Sequence, residues 1–262
     1  MTKIINGLEY TGTGTTEDPI TFDAMKSATA DPADVTIAGL AKTARAHVAA
    51  FSSKADLSNS LPADVRTMVN DAGSAITSVL TTASSARVKA DSFLRDITLY
   101  PQGREMLAGE AIRAAADKVA ELLAQAETQI DVAAAMTYEA ARPRISADEA
   151  MPARADLQMM TQRSIGNPGE LIATVRRLSQ RGDAVGALVA DQRFLGDFLD
   201  AQGIEPDMRV TIMTVIGSEV VQAAAKSGDP KRSAAARTSL ALTELRKARV
   251  AAASFSHHML QG

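Results

Sequence analysis

Between Leu61 and Arg142 small apolar residues recur at alternating steps of three and four, in two long stretches broken once at Tyr100-Pro101-Gln102-Gly103. In the first stretch Val65, Val69, Ala72, Ile76, Val79, Ala83, Ala86, Ala90, Phe93 and Ile97 follow a seven-residue repeat. That is the spacing of a buried seam on a helix of about 3.6 residues per turn. Ser60-Leu61-Pro62-Ala63-Asp64 supplies the start signal, and the pattern predicts a helix to Leu99, roughly 55 Å long at 1.5 Å per residue. Beyond the break the seam resumes with Ile112, Ala116, Val119, Leu123, Ala126, Ile130, Ala133, Thr137 and Ala140. Pro143 ends it, because proline disfavours a helical conformation in the residue before it. A short connection between two helices of similar length predicts an antiparallel hairpin from Pro62 to Ala141. Each seam alanine buries little area, so the pair needs further partners, either later helices or other chains.

The flanks read differently. Asn6-Gly7 between Ile4-Ile5 and Leu8-Glu9-Tyr10 is a type I′ turn signal, since both central positions take positive φ. The Thr/Gly run from Thr11 to Thr16 has no apolar face and predicts an extended arm. Asp31-Pro32 opens a helix expected to reach about Asp56, with Asp31 as cap and Pro32 at the first helical position. After Arg142 the predicted helices are short: one capped by Ser146 with Pro152 as a restart, one from Asn167-Pro168 to Gly182, one from Asp183 to Gly203, one from Glu205-Pro206 to Gly228, and a last from Asp229-Pro230. Val210–Val221 is β-branched, yet its flanking signals are those of a helix. The expected organisation is an arm over 1–30, a long helical hairpin over 31–142 and a shorter-helix unit over 143–262. The fold class is all-α.

Composition fits thin helix-on-helix contacts. The chain of 262 residues is 46% hydrophobic but only 3% aromatic and has no Trp, so alanine carries much of the apolar content. With no Cys, disulfides, thiolate metal sites and thiol nucleophiles are excluded together. No run approaches the about 18 apolar residues of a membrane span, and the Met1–Gly7 start lacks a signal-peptide core. A soluble protein made in the cytoplasm is expected. The net charge of −3 is unevenly spread, acidic from Met1 to Asp34 and basic from Lys226 to Arg249. A head-to-tail pairing of arm on helix between subunits would use both ends.

Candidate chemistry is sparse. Gly12-Thr13-Gly14 lacks the lysine of a phosphate loop and the strand and third glycine of a dinucleotide fingerprint. His257 and His258 point about 100° apart on a helix, and His47 stands alone, so none makes the i, i+4 pair that metal ligation favours. No Ser or Thr sits in a nucleophile-elbow or Ser-x-x-Lys frame. Glu17-Asp18 reads as part of a solvated arm and Asp148-Glu149 as helix-start charge. The basic end invites a nucleic-acid reading, but few aromatics accompany it and Glu244 interrupts the run. Met159-Met160 and Met208/Met213 read as adaptable core or interface filler. No catalytic, cofactor-binding or metal-binding residue is assigned, and no cofactor.

The expectation is a non-enzymatic structural subunit of a multi-chain assembly, most concretely a virion component such as a bacteriophage head, neck or tail protein. Its partners would be further copies of itself and other proteins of that assembly, without nucleic acid and without a membrane span. The location is then the virion, and otherwise the cytoplasm. The alternative is a bacterial adaptor or secretion-associated regulator that docks partner helices on the hairpin.

Overall fold

A computed structural model describes residues 3–5, 8–11, 21–22, 32–164 and 167–261. Among these, three short strands, β1 (Lys3–Ile5), β2 (Leu8–Thr11) and β3 (Thr21–Phe22), pair antiparallel in the order β1-β2-β3, with Ile5 opposite Leu8. Asn6-Gly7, Asp31 and residues 12–16 of the Thr/Gly run lie outside the described residues, while Thr11 ends β2. The other described elements are helical: α1 (Pro32–Lys54), α2 (Ala63–Arg95), α3 (Pro101–Ala141), α4 (Ala147–Thr161), a 3-10 turn at Gln162–Ser164, α5 (Pro168–Ser179), α6 (Ala184–Ala190), α7 (Gln192–Ala201), α8 (Pro206–Ala225) and α9 (Pro230–Gln261). The class is all-α, as the periodicity predicts.

Local chemistry accounts for most boundaries. Pro101 occupies the first turn of α3, so the predicted interruption is a helix start and Gly103 lies inside the helix. Asn167 accepts the Glu170 amide, Asp183 the Gly186 amide and Asp229 the Lys231 amide, each satisfying an otherwise orphaned donor. Ser146 and Glu149 form a capping box at the start of α4. Pro152 does not restart that helix but lies within it. Val210–Val221 is helical, as its flanking signals require.

Three expectations need correction. The stretch from Asp183 to Gly203 is two helices rather than one, because Asp191 accepts the Phe194 amide and caps α7 where the chain turns. The first long helix stops at Arg95, not Leu99. Asp96 there accepts the backbone amide and the hydroxyl of Thr98, at 2.9 and 2.6 Å, closing a turn that leaves Ile97 86% exposed. In α3 the seam rotates by one residue early on, with Ala115 buried and Ala116 exposed.

Two cores result. One joins α1, α2, α3 and α9 through Phe51, Val69, Ile76, Ile130, Leu242 and Phe255; the other gathers α4 to α8 around Leu157, Val175, Leu195, Leu199 and Ile216. The last helix therefore does not stay with the shorter helices of 143–262 but returns to the long pair, because its wide apolar face fits there. Its run of Ala241, Leu242, Leu245, Ala248, Ala251, Ala252 and Phe255 is buried, a broader stripe than one neighbour needs. α9 runs antiparallel to α3: Arg232 donates to the Ala141 carbonyl, Arg246 pairs with Asp131 at 2.9 Å, and Arg249 pairs with Glu127 at 2.6 Å. It also runs antiparallel to α1, where Thr238 donates to the Asp56 carbonyl. Along the body, the cover that the alanine seam demands thus comes from within the chain.

If α9 carries this core, shortening a side chain on its buried face is costly and on its outer face is not. Leu242→Ala is expected to lower unfolding free energy by about 2–5 kcal/mol. Val250→Ala, at a position 61% exposed, is expected to stay within about 0.5 kcal/mol. Urea titration followed by circular dichroism measures both.

Candidate interaction surface

Side chains at opposite ends of the sequence meet on α9. Glu244 is 7% exposed on a helix surrounded by alanine. Its carboxylate lies 2.7 Å from the Lys54 ammonium and 2.7 Å from Nδ1 of His47, with Lys247 at 3.7 Å. Lys54, then His47, holds the carboxyl down to about 2, against the usual 4.5. The sequence shows Glu244 only as an interruption in a basic run. Spacing within one helix carries no sign that its partners are almost 200 residues earlier. His47, isolated in sequence, is one of them.

A second polar junction links the two cores. The Tyr138 hydroxyl donates to the Ala190 carbonyl at 3.0 Å, and burial pushes its pKa up. Arg142, just past the end of α3, pairs with Glu139 of that helix and with Asp191 at 2.9 Å. Burial pushes Asp191 up, but the Phe194 amide and the Arg142 guanidinium outweigh it, and the net shift is downward. Asp191 therefore caps one helix and anchors another at the same time. Both junctions are structural in geometry, since every carboxylate oxygen in them faces a protein partner.

The residues weighed for chemistry are scattered. His257 and His258 are exposed, with rings 5.8 Å apart and edge-on. Asp148 and Glu149 lie in the first turn of α4, where Glu149 serves the capping box. They border a depression of about 310 Å³ with Asp156, Asp183 and Arg181, in which Arg181 is paired with Asp183. Gly12-Thr13-Gly14 and Glu17-Asp18 fall outside the described residues. Met213 packs against the second core while Met159 and Met208 are exposed. A groove of about 370 Å³ between α1 and α2 is lined by Val48, Phe51, Asn70, Gly73, Ser74 and Thr77, with no acid, base or imidazole. Among the described residues no group of three or more His, Asp or Glu side chains is placed to hold a metal ion. No described helix is long and apolar enough to cross a membrane.

The bases of α9 are largely engaged at home. Arg246 and Arg249 face α3 carboxylates, Arg237 approaches Asp56 at 3.9 Å, and Lys247 faces Glu244.

The surface that stands out is the far end of α2 and α3. The continuous core stops at Ala83 on α2 and Val119 on α3. Beyond it the two helices bury only Ala86, Ala90, Ala108 and Ala115. Since α9 passes Glu127 with Arg249, Gln261 falls opposite the region of Ala115, and α3 projects past it by roughly 21 Å at about 1.5 Å per residue. Val88, Leu94, Ile97, Tyr100 and Met106 are exposed on this projection, Ile97 and Tyr100 by 86% and 88%. The Asp96–Thr98 turn and the Arg104 bond to the Leu99 carbonyl, at 2.9 Å, hold the connection in shape. Leu94, Ile97 and Tyr100 fall within one short stretch at an ordered end, and large exposed apolar side chains in a group, unlike singly scattered ones, are a candidate contact surface.

Comparison of the chain with protein-family models, with curated proteins and with solved structures finds no match. Fold and surface are therefore read from the chain's own chemistry: an all-α protein with an apolar helical tip.

The Glu244 clasp gives a pH signature. A carboxyl whose pKa is depressed in the fold stabilises it fully above its unfolded value, near 4.5, and loses that contribution as pH falls towards about 2. Glu244→Gln is therefore expected to destabilise the protein at neutral pH and to flatten its loss of stability between those two values. Urea midpoints measured at neutral pH and down through that window show it, and parallel slopes for the two proteins would count against the clasp.

Proposed function

We propose that the chain is a non-enzymatic structural subunit of a multi-chain assembly, homo-oligomeric and in contact with other proteins of that assembly. The assembly we propose is a virion, that of a bacteriophage, with the subunit in its head, neck or tail. One observation carries the reading: the α2–α3 pair, covered by α1 and α9 along the body, ends in a projection with Leu94, Ile97, Tyr100 and Met106 turned to solvent. An alanine-only seam is a weak support for two helices standing alone. Further protein surface around the tip would cover the apolar side chains and complete the packing.

The engagement of α9's bases by α3 and α1 supports a protein partner over nucleic acid, since counterion release needs free cations. A docking adaptor would use the same tip but would meet defined partners one at a time. The two readings differ in the company the chain keeps.

The absence of Cys makes a single-site probe clean. Ile97→Cys carrying a photo-crosslinker, introduced into the native particle, is expected to form adducts with neighbouring subunits. The same probe at Asp207→Cys, at the start of α8, is the comparison site. A native mass equal to one chain, with no adduct from either position, would overturn the proposal.

A further inference from the structure

We infer that the tip's first partner is a second copy of this chain, packed tip beside tip about a twofold axis so that two helical pairs make a four-helix end; this rests on the assembly reading above. The body of the molecule shows the solution the sequence uses for an alanine seam. There α1 and α9 join α2 and α3, and four helices share one core through Ala44, Ala72, Ala83, Ala126, Ala235 and Ala248. At the tip the same seam continues as Ala86, Ala90, Ala108 and Ala115, but only two helices are present. Two further helices of the same length and spacing are those of another copy's tip.

Charge makes the tip complementary to itself. The last turns of α2 carry Arg87, Lys89 and Arg95 against Asp91, and the first turns of α3 carry Glu105 and Glu110 against Arg104. Arg87 is paired with Asp91 at 3.4 Å, Lys89 lies over the Phe93 ring, and Arg104 is bonded to the Leu99 carbonyl. Arg95, Glu105 and Glu110 make no ion pair among the described residues, although both signs share one tip. A twofold contact is isologous, so each copy gives Arg95 to its partner's acidic α3 start and receives the same in return. A partner of one charge sign would satisfy only half of this surface.

The area is of the right size. Leu94, Ile97 and Tyr100 are exposed by 49%, 86% and 88%. Together they offer apolar surface on the order of several hundred Å² per copy, a large part of the about 800 Å² that each side of a standard interface buries. Helix faces on either side of them make up the rest.

Sedimentation velocity of the full chain from ~1 to ~100 µM tests this. The expected result is a monomer–dimer equilibrium. It is abolished by Ile97→Asp with Tyr100→Asp at unchanged helical circular dichroism, and weakened about tenfold or more by Arg95→Glu. Adding Glu105→Arg and Glu110→Arg to Arg95→Glu restores the complementarity and is expected to bring the dimer back. A chain that stays monomeric throughout, a dimer indifferent to the tip substitutions, or a failure of the charge-swapped protein to regain association would each overturn the inference. If the chain is monomeric while the Ile97→Cys probe still marks a different subunit of the particle, the inference fails and the structural-subunit reading stands.

Discussion

The packing of α9 against the alanine seam governs the rest of the molecule. α2 and α3 present small side chains to each other, which lets their backbones approach but buries little area per residue. α9 answers with a face wide enough to touch α1, α2 and α3 together, filling the gap with Leu242, Leu245 and Phe255. The helix also carries the polar fasteners, Glu244 towards α1 and Arg246 and Arg249 towards α3. These charges serve register more than strength, because exposed ion pairs contribute little on their own, while the buried Glu244 is met by the Lys54 ammonium and the His47 ring.

From that arrangement follow both the junction and the tip. Returning α9 to the long pair requires the chain to traverse α4 to α8 first, and these helices build their own core around Leu195, Leu199 and Ile216. Tyr138, Arg142 and Asp191 tie that core to the base of α3. At the other end, the reach of α9 decides where cover stops. What lies beyond it keeps the seam but lacks the third and fourth helices, and it is there that Ile97 and Tyr100 face solvent.

The sequence revealed its helix starts because they depend on local chemistry. Pro32, Pro101, Pro168, Pro206 and Pro230 each open a helix, and Asn167, Asp183 and Asp229 cap neighbours within a few residues. It hid what depends on distant partners. Asp191 looks like any surface acid until its amide partner and Arg142 are seen together. Glu244 reads as a stray charge until His47 and Lys54 arrive from the first helix. The basic character of the last helix gives no sign that Arg246 and Arg249 meet carboxylates of α3. Ala115 replaced Ala116 in the seam because neither alanine is large enough for periodicity alone to decide which one faces inward. The tip is legible in part, as a break in the pattern, but not as an exposed surface, since Ile97 falls on the seven-residue repeat.

Native-state hydrogen exchange of the dilute chain tests the central claim most directly, because it reads the stability of each helical stretch separately. The account predicts that residues 63–83, 119–141 and the buried face of α9 share the highest protection and open together, while residues 86–115 exchange through a lower-energy opening. Uniform protection along α2 and α3, or an α9 that exchanges before the pair it covers, would contradict it.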